Sequence, residues 1–394
     1  MTDPTTEIPS DTRLALFKVA TAGLVLHLLI LLAGARFGLI EPIQNQPTPK
    51  DQALRILASE SPGWAQAWYH WDSLWFVHLS RFGYQLQVGT DGLRQQSNIA
   101  FTPGLPLVIQ ALAQIGLNPW SGTILLNMLA AFLARLGIGF AAYQATQCQK
   151  TAIWSVVLFT AWPWQFFLVA PYQEACGLAC VVWSVYLGRR QSYLPAFLLS
   201  FAAGLFRLNA IGFFGGFLAG TSIEIVRKKP WRAPPGSVFF STGAIVSWLL
   251  LLLYFYFEFG DARISILIQQ TWNRHEPSLM GLLESMFSPL LQKKLTGTGW
   301  LDWFVVWPVL LIIPRIWTRL GPAWAMALAG LAAQSLSTGS VMSFGRLMLL
   351  GVPFFVFSGH IAASKPRLAI VVSAVSVLVQ MALLWRYIHG LFGG

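Results

Sequence analysis

Apolar runs recur along the chain at close to the ~20 residues that an α-helix needs to cross the ~30 Å hydrocarbon core of a bilayer. They fall at 15–35, 103–117, 120–143, 151–170, 172–188, 193–206, 208–226, 237–257, 300–314, 323–340, 346–362 and 368–388. Some are short or carry proline, so the pattern predicts about ten to twelve spans. A spanning segment must satisfy every backbone N–H and C=O internally. The Leu-, Phe-, Val- and Ala-rich runs lack the period-two alternation of barrel strands, which leaves helices. Charged residues are only 10% of the chain, against roughly 25% in soluble domains, so no stretch remains for a soluble domain. The expectation is an all-α, polytopic helical membrane protein in which 1–394 is one integral membrane domain. Residues 36–102 would form a first large extracytoplasmic loop and 258–299 a second.

The net charge of +11, 26 basic against 15 acidic residues, sits in short loops between the runs and reads as a topology signal rather than a nucleic-acid face. Arg227-Lys228-Lys229-Pro230-Trp231-Arg232, then Arg315/Arg319, then Lys365/Arg367 read as cytoplasmic, which places 258–299 and 341–346 outside. From the other end, residues 1–14 inside and one span place 36–100 outside as well. The two counts disagree over 103–143. Either 120–143 hides a second turn near Arg135, Gly137 and Gly139, or 103–117 dips in without crossing.

Residues 19–35 resemble a secretory signal ending at Ala33-Gly34-Ala35, but the long preceding region of mixed charge reads as an uncleaved first span. Cys176 and Cys180 lie one helical turn apart with no histidine or third cysteine to join them, so they and Cys148 read as small apolar packing and no metal site is expected. There is no Walker loop, GxSxG elbow or HExxH, which argues against a primary pump or a soluble-type hydrolase.

Within this apolar chain, 64–106 is polar and rich in aromatics, and it carries Asp72 among tryptophans. Drawn as one helix, it places Trp64, Trp68, Trp71, Trp75 and Phe82 within an arc of roughly 60°, a stripe suited to the membrane interface. Asp72 falls at the edge of that stripe, with His70 and Arg81 on the opposite flank. A break at Gly83-Tyr84 follows, and a helix opens at Pro103 and Pro106, where proline suits a first turn. A solvated surface carboxylate is the bland account of Asp72. The combination around it reads better as a scaffold for chemistry on a lipid-linked substrate.

These residues resemble the PIG-V-like mannosyltransferases, membrane glycosyltransferases of the GT-C architecture, over most of the chain's length. The Trp-Asp pair, the Gly-Tyr a dozen residues on and the Phe-Phe-Pro-x-x-Pro of that family are matched by Trp71-Asp72, Gly83-Tyr84 and Phe101-Thr102-Pro103-Gly104-Leu105-Pro106. Pro163 followed by Tyr172-Gln173-Glu174 is similar to its Pro and Tyr-Ser-Glu, and Arg207-Leu208-Asn209-Ala210-Ile211-Gly212 to its Arg-x-Asn-Gly segment. Gln269-Gln270-Thr271-Trp272-Asn273-Arg274-His275 resembles an outer-loop Gln-x-x-Trp motif, and Ser343-Phe344-Gly345-Arg346 before Pro353 a Ser/Arg turn. Thr102, Gln173, His70 and Trp75 depart from the usual residues at positions that shape the sugar or acceptor pocket, so the resemblance speaks to reaction class more than to the sugar.

The resemblance implies transfer of a hexose, mannose in that family, from a polyprenyl-phosphate (or dolichyl-phosphate) donor to an acceptor on the extracytoplasmic face, with inversion. Such a displacement needs one carboxylate to take the acceptor proton, and Asp72 is the candidate base. The leaving lipid phosphate is a stable anion that needs cationic donors rather than a general acid or a cofactor. Arg207, Arg274 and Arg346 are the candidates, because ionisable residues in or beside spans are expensive; each also reads as a side chain snorkelling to the interface. Glu174 pairs with one of these arginines or orients sugar hydroxyls, and Arg135 reads as a structural partner. By the same resemblance His70, Trp71, Arg81, Tyr84, Tyr172, Asn209, Trp272 and His275 would help to bind substrate.

Two other classes stay open, a lipid-linked sugar transporter or flippase and a non-catalytic subunit of a glycosylation complex. The absence of an internal repeat disfavours the first, and the presence of Asp72 the second. The acceptor is not legible. Short tails and loops and the lack of an Asn-x-Ser/Thr sequon suggest a prokaryotic plasma membrane rather than an endoplasmic reticulum.

Overall fold

A computed structural model describes residues 7–38, 54, 57, 59–89, 91–227, 236–272, 274–292 and 299–391. Among these the fold is all helical, with a single antiparallel bridge between Val88 and Arg94. The helices are α1 (Ser10–Phe37), α2 (Asp72–Phe82), α3 (Gly104–Gln114), α4 (Pro119–Thr146), α5 (Gln149–Thr160), α6 (Glu174–Arg189), α7 (Tyr193–Phe206) and α8 (Asn209–Arg227). They continue as α9 (Gly243–Phe259), α10 (Leu279–Gln292), α11 (Gly299–Arg319), α12 (Pro322–Leu336), α13 (Val352–Ser364) and α14 (Pro366–Ile388). Six are long and apolar enough to cross a membrane: α1, α4, α8, α9 with its leading turn, α11 and α14. A seventh span results if α13 is joined to the Phe344–Leu350 segment, which meets it at 83°. Their outward faces carry apolar side chains such as Val371 and Leu378, as an integral membrane protein requires. Lys228 to Arg232 of the strongest basic cluster, and 39–53 of the first loop, lie outside the described residues.

The structure removes one of the two accounts of the conflict over 103–143. The 28-residue α4 is continuous, opened by Pro119 and by the Asn118 side chain, which accepts from Trp120 N and Ser121 N. It hides no second turn. The 11 residues of α3 rise about 16 Å, roughly half a hydrocarbon core, so the helix in the segment expected at 103–117 is too short to cross on its own.

The run expected at 151–170 is also corrected. Helix α5 ends at Thr160, and 161–173 is largely irregular, with one short 3₁₀ turn at Gln165–Leu168. Non-helical backbone at membrane depth is tolerated only inside protein, and Phe166 to Ala170 are buried. Two side chains of α4 tie it down, one through its backbone and one through its side chains. Asn127 Nδ2 donates to the Ala170 and Tyr172 carbonyls at 2.6 and 2.8 Å. Arg135, fully buried, donates to Thr160 Oγ1 and Gln165 Oε1, each at 3.1 Å, and bonds His27 Nε2 at 2.7 Å. The expected structural role of Arg135 is therefore met without a carboxylate. Its charge sits at the C-terminal end of α5, where the helix dipole is negative.

Helices α8 and α12 approach backbone to backbone. Gly212, Gly216 and Gly220 recur every fourth residue on α8, the small-residue spacing that lets membrane helices close up. A Cβ on Gly216 would lie 1.9 Å from the Met326 carbonyl oxygen, and one on Gly220 2.4 Å from that of Pro322.

Candidate functional site

Three chain breaks open on one end of the bundle, at 161–173, at Arg207-Leu208 between α7 and α8, and at 343–351. With the start of α2 and the turn at 265–277 they enclose a cavity of about 200 Å³. Its walls include Asp72, Thr102, Gln173, Arg207, Asn209, Trp272, Arg274, His275 and Arg346. Residues from six distant stretches of the chain meet here, among them the expected Asp72, Arg207, Asn209, Trp272, Arg274, His275 and Arg346.

The segment 64–82 is not one helix. A 3₁₀ turn over Gly63–Trp68 ends at Tyr69, Trp71 takes a positive φ of 56°, and α2 starts afresh at Asp72. A non-glycine residue in that conformation is strained and marks a site held by its surroundings. The expected indole stripe is therefore broken. Trp68 and Trp75 are buried in protein rather than turned to an interface, and only Trp64 of the tryptophans in that stripe is exposed. The break places Asp72 in the first turn of α2, where the helix dipole favours a carboxylate.

Asp72 Oδ2 accepts from Arg346 Nη1 at 3.0 Å, and the Asp72 side chain keeps 29% of its surface exposed toward the cavity. No hydrogen bond reaches its Oδ1 among the described residues. Arg346 also donates through Nε to Glu174 Oε1, and its guanidinium lies over the Tyr172 and Phe167 rings at 4.4 and 4.7 Å from their centroids. Such stacking suits a delocalised guanidinium and would be lost with lysine. Glu174 is fully buried and pairs with Arg207 Nη1 at 3.1 Å as well. It lies behind the cavity wall, in the structural pairing expected of it rather than in position to orient a sugar.

The cations divide into two kinds. Arg346 is committed to two carboxylates and two rings. Arg207 spends only Nη1 on Glu174, and its Nε and Nη2 are buried with no hydrogen-bond partner among the described residues. A buried guanidinium with idle donors beside a cavity is a ready anion site. Arg274 makes no ion pair among the described residues and lines the same cavity. Burial pulls its guanidinium below the usual value, and the Asp72 charge opposes that shift.

Other expected binding residues lie elsewhere. Arg81 pairs with Glu60 at 2.5 Å and lies over Trp120, lining a separate cavity with Gln110. It sits nine residues beyond Asp72 on the same helix, at the far end of α2 and on the opposite flank. His70 is buried under Tyr387, and burial pushes its imidazole down to about 4. Tyr84 donates to the Phe101 carbonyl at 2.8 Å, and Tyr172 to the His70 carbonyl at 2.9 Å. His70, Tyr84, Tyr172 and Trp71 do not line the cavity. Trp272, Asn209 and His275 do reach the cavity; Trp272 meets Trp75 and Phe101 edge to face, and Asn209 Nδ2 donates to Ser335 Oγ at 3.1 Å.

Sequence reasoning passed over Gln334 and Asp302. Gln334 Oε1 accepts from Gly212 N at 2.6 Å and its Nε2 donates to the Leu208 carbonyl at 3.1 Å, satisfying backbone at the α7–α8 break. Asp302 is a buried acid near the start of an apolar helix, the same signal that singled out the arginines. Among the described residues no group of three or more His, Cys, Asp or Glu side chains is placed to hold a metal ion. No protein-family model matches this chain, and no curated protein matches it either.

Proposed function

We propose that the chain is a membrane glycosyltransferase that moves a hexose, mannose by the resemblance, from a polyprenyl-phosphate donor to an acceptor hydroxyl on the extracytoplasmic side. The observation that carries the reading is one cavity holding a partly exposed carboxylate, Asp72, opposite a buried arginine with idle donors, Arg207. The acceptor oxygen forms a bond to the anomeric carbon as the bond from that carbon to the phosphate oxygen breaks. The acceptor proton passes to Asp72 Oδ1, and the electron pair leaves with the lipid phosphate. Arg207 and Arg274 hold that phosphate, while Arg346, fixed by Glu174 and two rings, keeps the base aimed. Asp72, Arg207, Arg274, Arg346 and Glu174 together carry one net positive charge, which a phosphodiester donor neutralises. The 11-residue α3 is amphipathic and exposes Leu107, as a helix lying in the interface beside a lipid substrate would.

The test is transfer of radiolabelled mannose from polyprenyl-phosphate-mannose in membranes containing wild type or Asp72→Asn at matched levels. Loss of transfer in the variant, by at least about a hundredfold for a missing base, supports the reading. Equal transfer removes Asp72 from the chemistry. Donor binding without transfer by the wild type would favour a carrier of lipid-linked sugar.

A further inference from the structure

Asp302 sits on α11 with 1% of its surface exposed, amid Trp300, Leu301, Trp303 and Phe304. It makes no ion pair within 4 Å among the described residues and does not line the cavity. Both of its oxygens are nevertheless used. Oδ1 accepts from Gly345 N at 2.7 Å and Oδ2 from Ser343 N at 3.0 Å. Ser343 adopts a left-handed φ of 65°, which turns alternate backbone N–H groups toward one acceptor, the concave nest that backbone forms around an anion. Gly345 completes the turn, because a Cβ there would lie 2.4 Å from the Trp164 ring. Arg346 is the next residue.

We propose that Asp302 is a positioning residue: its carboxylate fills the nest of the Ser343–Gly345 turn and thereby sets Arg346 against Asp72. A carboxylate buried in an apolar span with no ion pair within 4 Å among the described residues is expensive and persists for a reason, and here its hydrogen bonds both go to the turn that carries one site arginine. Serine in a left-handed conformation would drift toward an ordinary turn without those two acceptors. Arg346 would then leave Asp72, although each of its own partners stayed intact. This inference rests on the proposed transfer reaction for its kinetic half only.

The experiment is a double-mutant cycle between Asp302→Asn and Arg346→Gln, read in two ways. Asparagine keeps the shape but turns an N–H₂ toward one of the two backbone donors. In transfer assays, Asp302→Asn lowers kcat at least about tenfold while KM for the donor stays within about threefold, and it adds little once Arg346 is already glutamine. A merely structural acid would cost the same factor in both backgrounds, and that result overturns the proposal. The second reading needs no substrate: thermal midpoints of the four proteins in detergent. Non-additive shifts show that Asp302 acts through the Arg346 turn even if the wild type transfers no sugar, in which case the glycosyltransferase reading alone has failed. Additive shifts overturn the proposal whatever the activity. If Asp302→Asn does not fold, Asp302→Glu enters the same cycle, since it keeps both acceptors and displaces the turn by one methylene.

Discussion

Replacing Glu174 by glutamine should cost far more than replacing Glu60, although each acid contacts arginine. Glu60 and Arg81 lie 2.5 Å apart with side chains 42% and 36% exposed, so water screens the pair and Glu60→Gln should cost no more than about 1 kcal/mol. Glu174 is fully buried and serves two guanidinium groups, Arg207 at 3.1 Å and Arg346. Removing one partner from a buried ion pair costs about 3–5 kcal/mol, because the remaining charge keeps its desolvation penalty. Here two cations lose their shared counter-ion, and only Asp72 remains near either. Glutamine still offers one acceptor oxygen, which argues for the lower end, about 3 kcal/mol, a large share of the roughly 5–15 kcal/mol that holds a domain folded. The assay is equilibrium unfolding in mixed micelles by graded SDS, with both variants compared to wild type. Equal costs, or a Glu174→Gln cost below about 1 kcal/mol, would refute the claim that burial gives this acid its weight.

Gly216→Leu should prevent close packing of α8 on α12, because a Cβ there already lies 1.9 Å from the Met326 carbonyl oxygen; expression of monodisperse protein should fall sharply, whereas the same change at Gly215, with nothing within 4 Å, should be tolerated. His70 is held near a pKa of about 4 by burial, against about 6.5 unfolded, so the unfolded chain binds more protons between those values. The fold is then fully favoured by this group above about pH 6.5 and loses up to about 3 kcal/mol as pH falls to 4. A thermal midpoint that falls across that window, with a shallower slope in His70→Gln, is the expected result, and identical slopes would refute it.

Charged residues in an apolar chain are the most legible part of this sequence. Glu174, Arg207, Arg274 and Arg346 stood out by the cost of charge in or beside a span and Asp72 by its aromatic, polar surroundings, and the structure gathers them around one cavity. Geometry between them was less legible. The reversal at Trp71 leaves no mark in residue type, since tryptophan has no preference for positive φ, and so a continuous helix carried Trp64, Trp68 and His70 to the wrong places. The breaks after Thr160 and around Gly351 lie within runs apolar enough to pass for uninterrupted spans; the side chains that hold the first, Asn127 and Arg135, come from elsewhere in the chain. The Gly212, Gly216, Gly220 spacing was present to be read and went unused. Asp302 carried the same signal of cost, but its partners are backbone groups, which no motif displays.

The shared counter-ion also sets an order of assembly. Glu174 enters the bilayer during synthesis long before Arg346, which follows 172 residues later; at about 5–20 residues per second the wait is roughly 9–34 s. Arg207 follows after 207 − 174 = 33 residues, or about 2–7 s. The α6–α7 hairpin can thus insert with its acid already neutralised, and Arg346 docks afterwards onto a waiting pair. The nascent chain never has to hold a lone carboxylate in lipid for the whole of its synthesis, and the cavity closes only when the last third of the protein arrives.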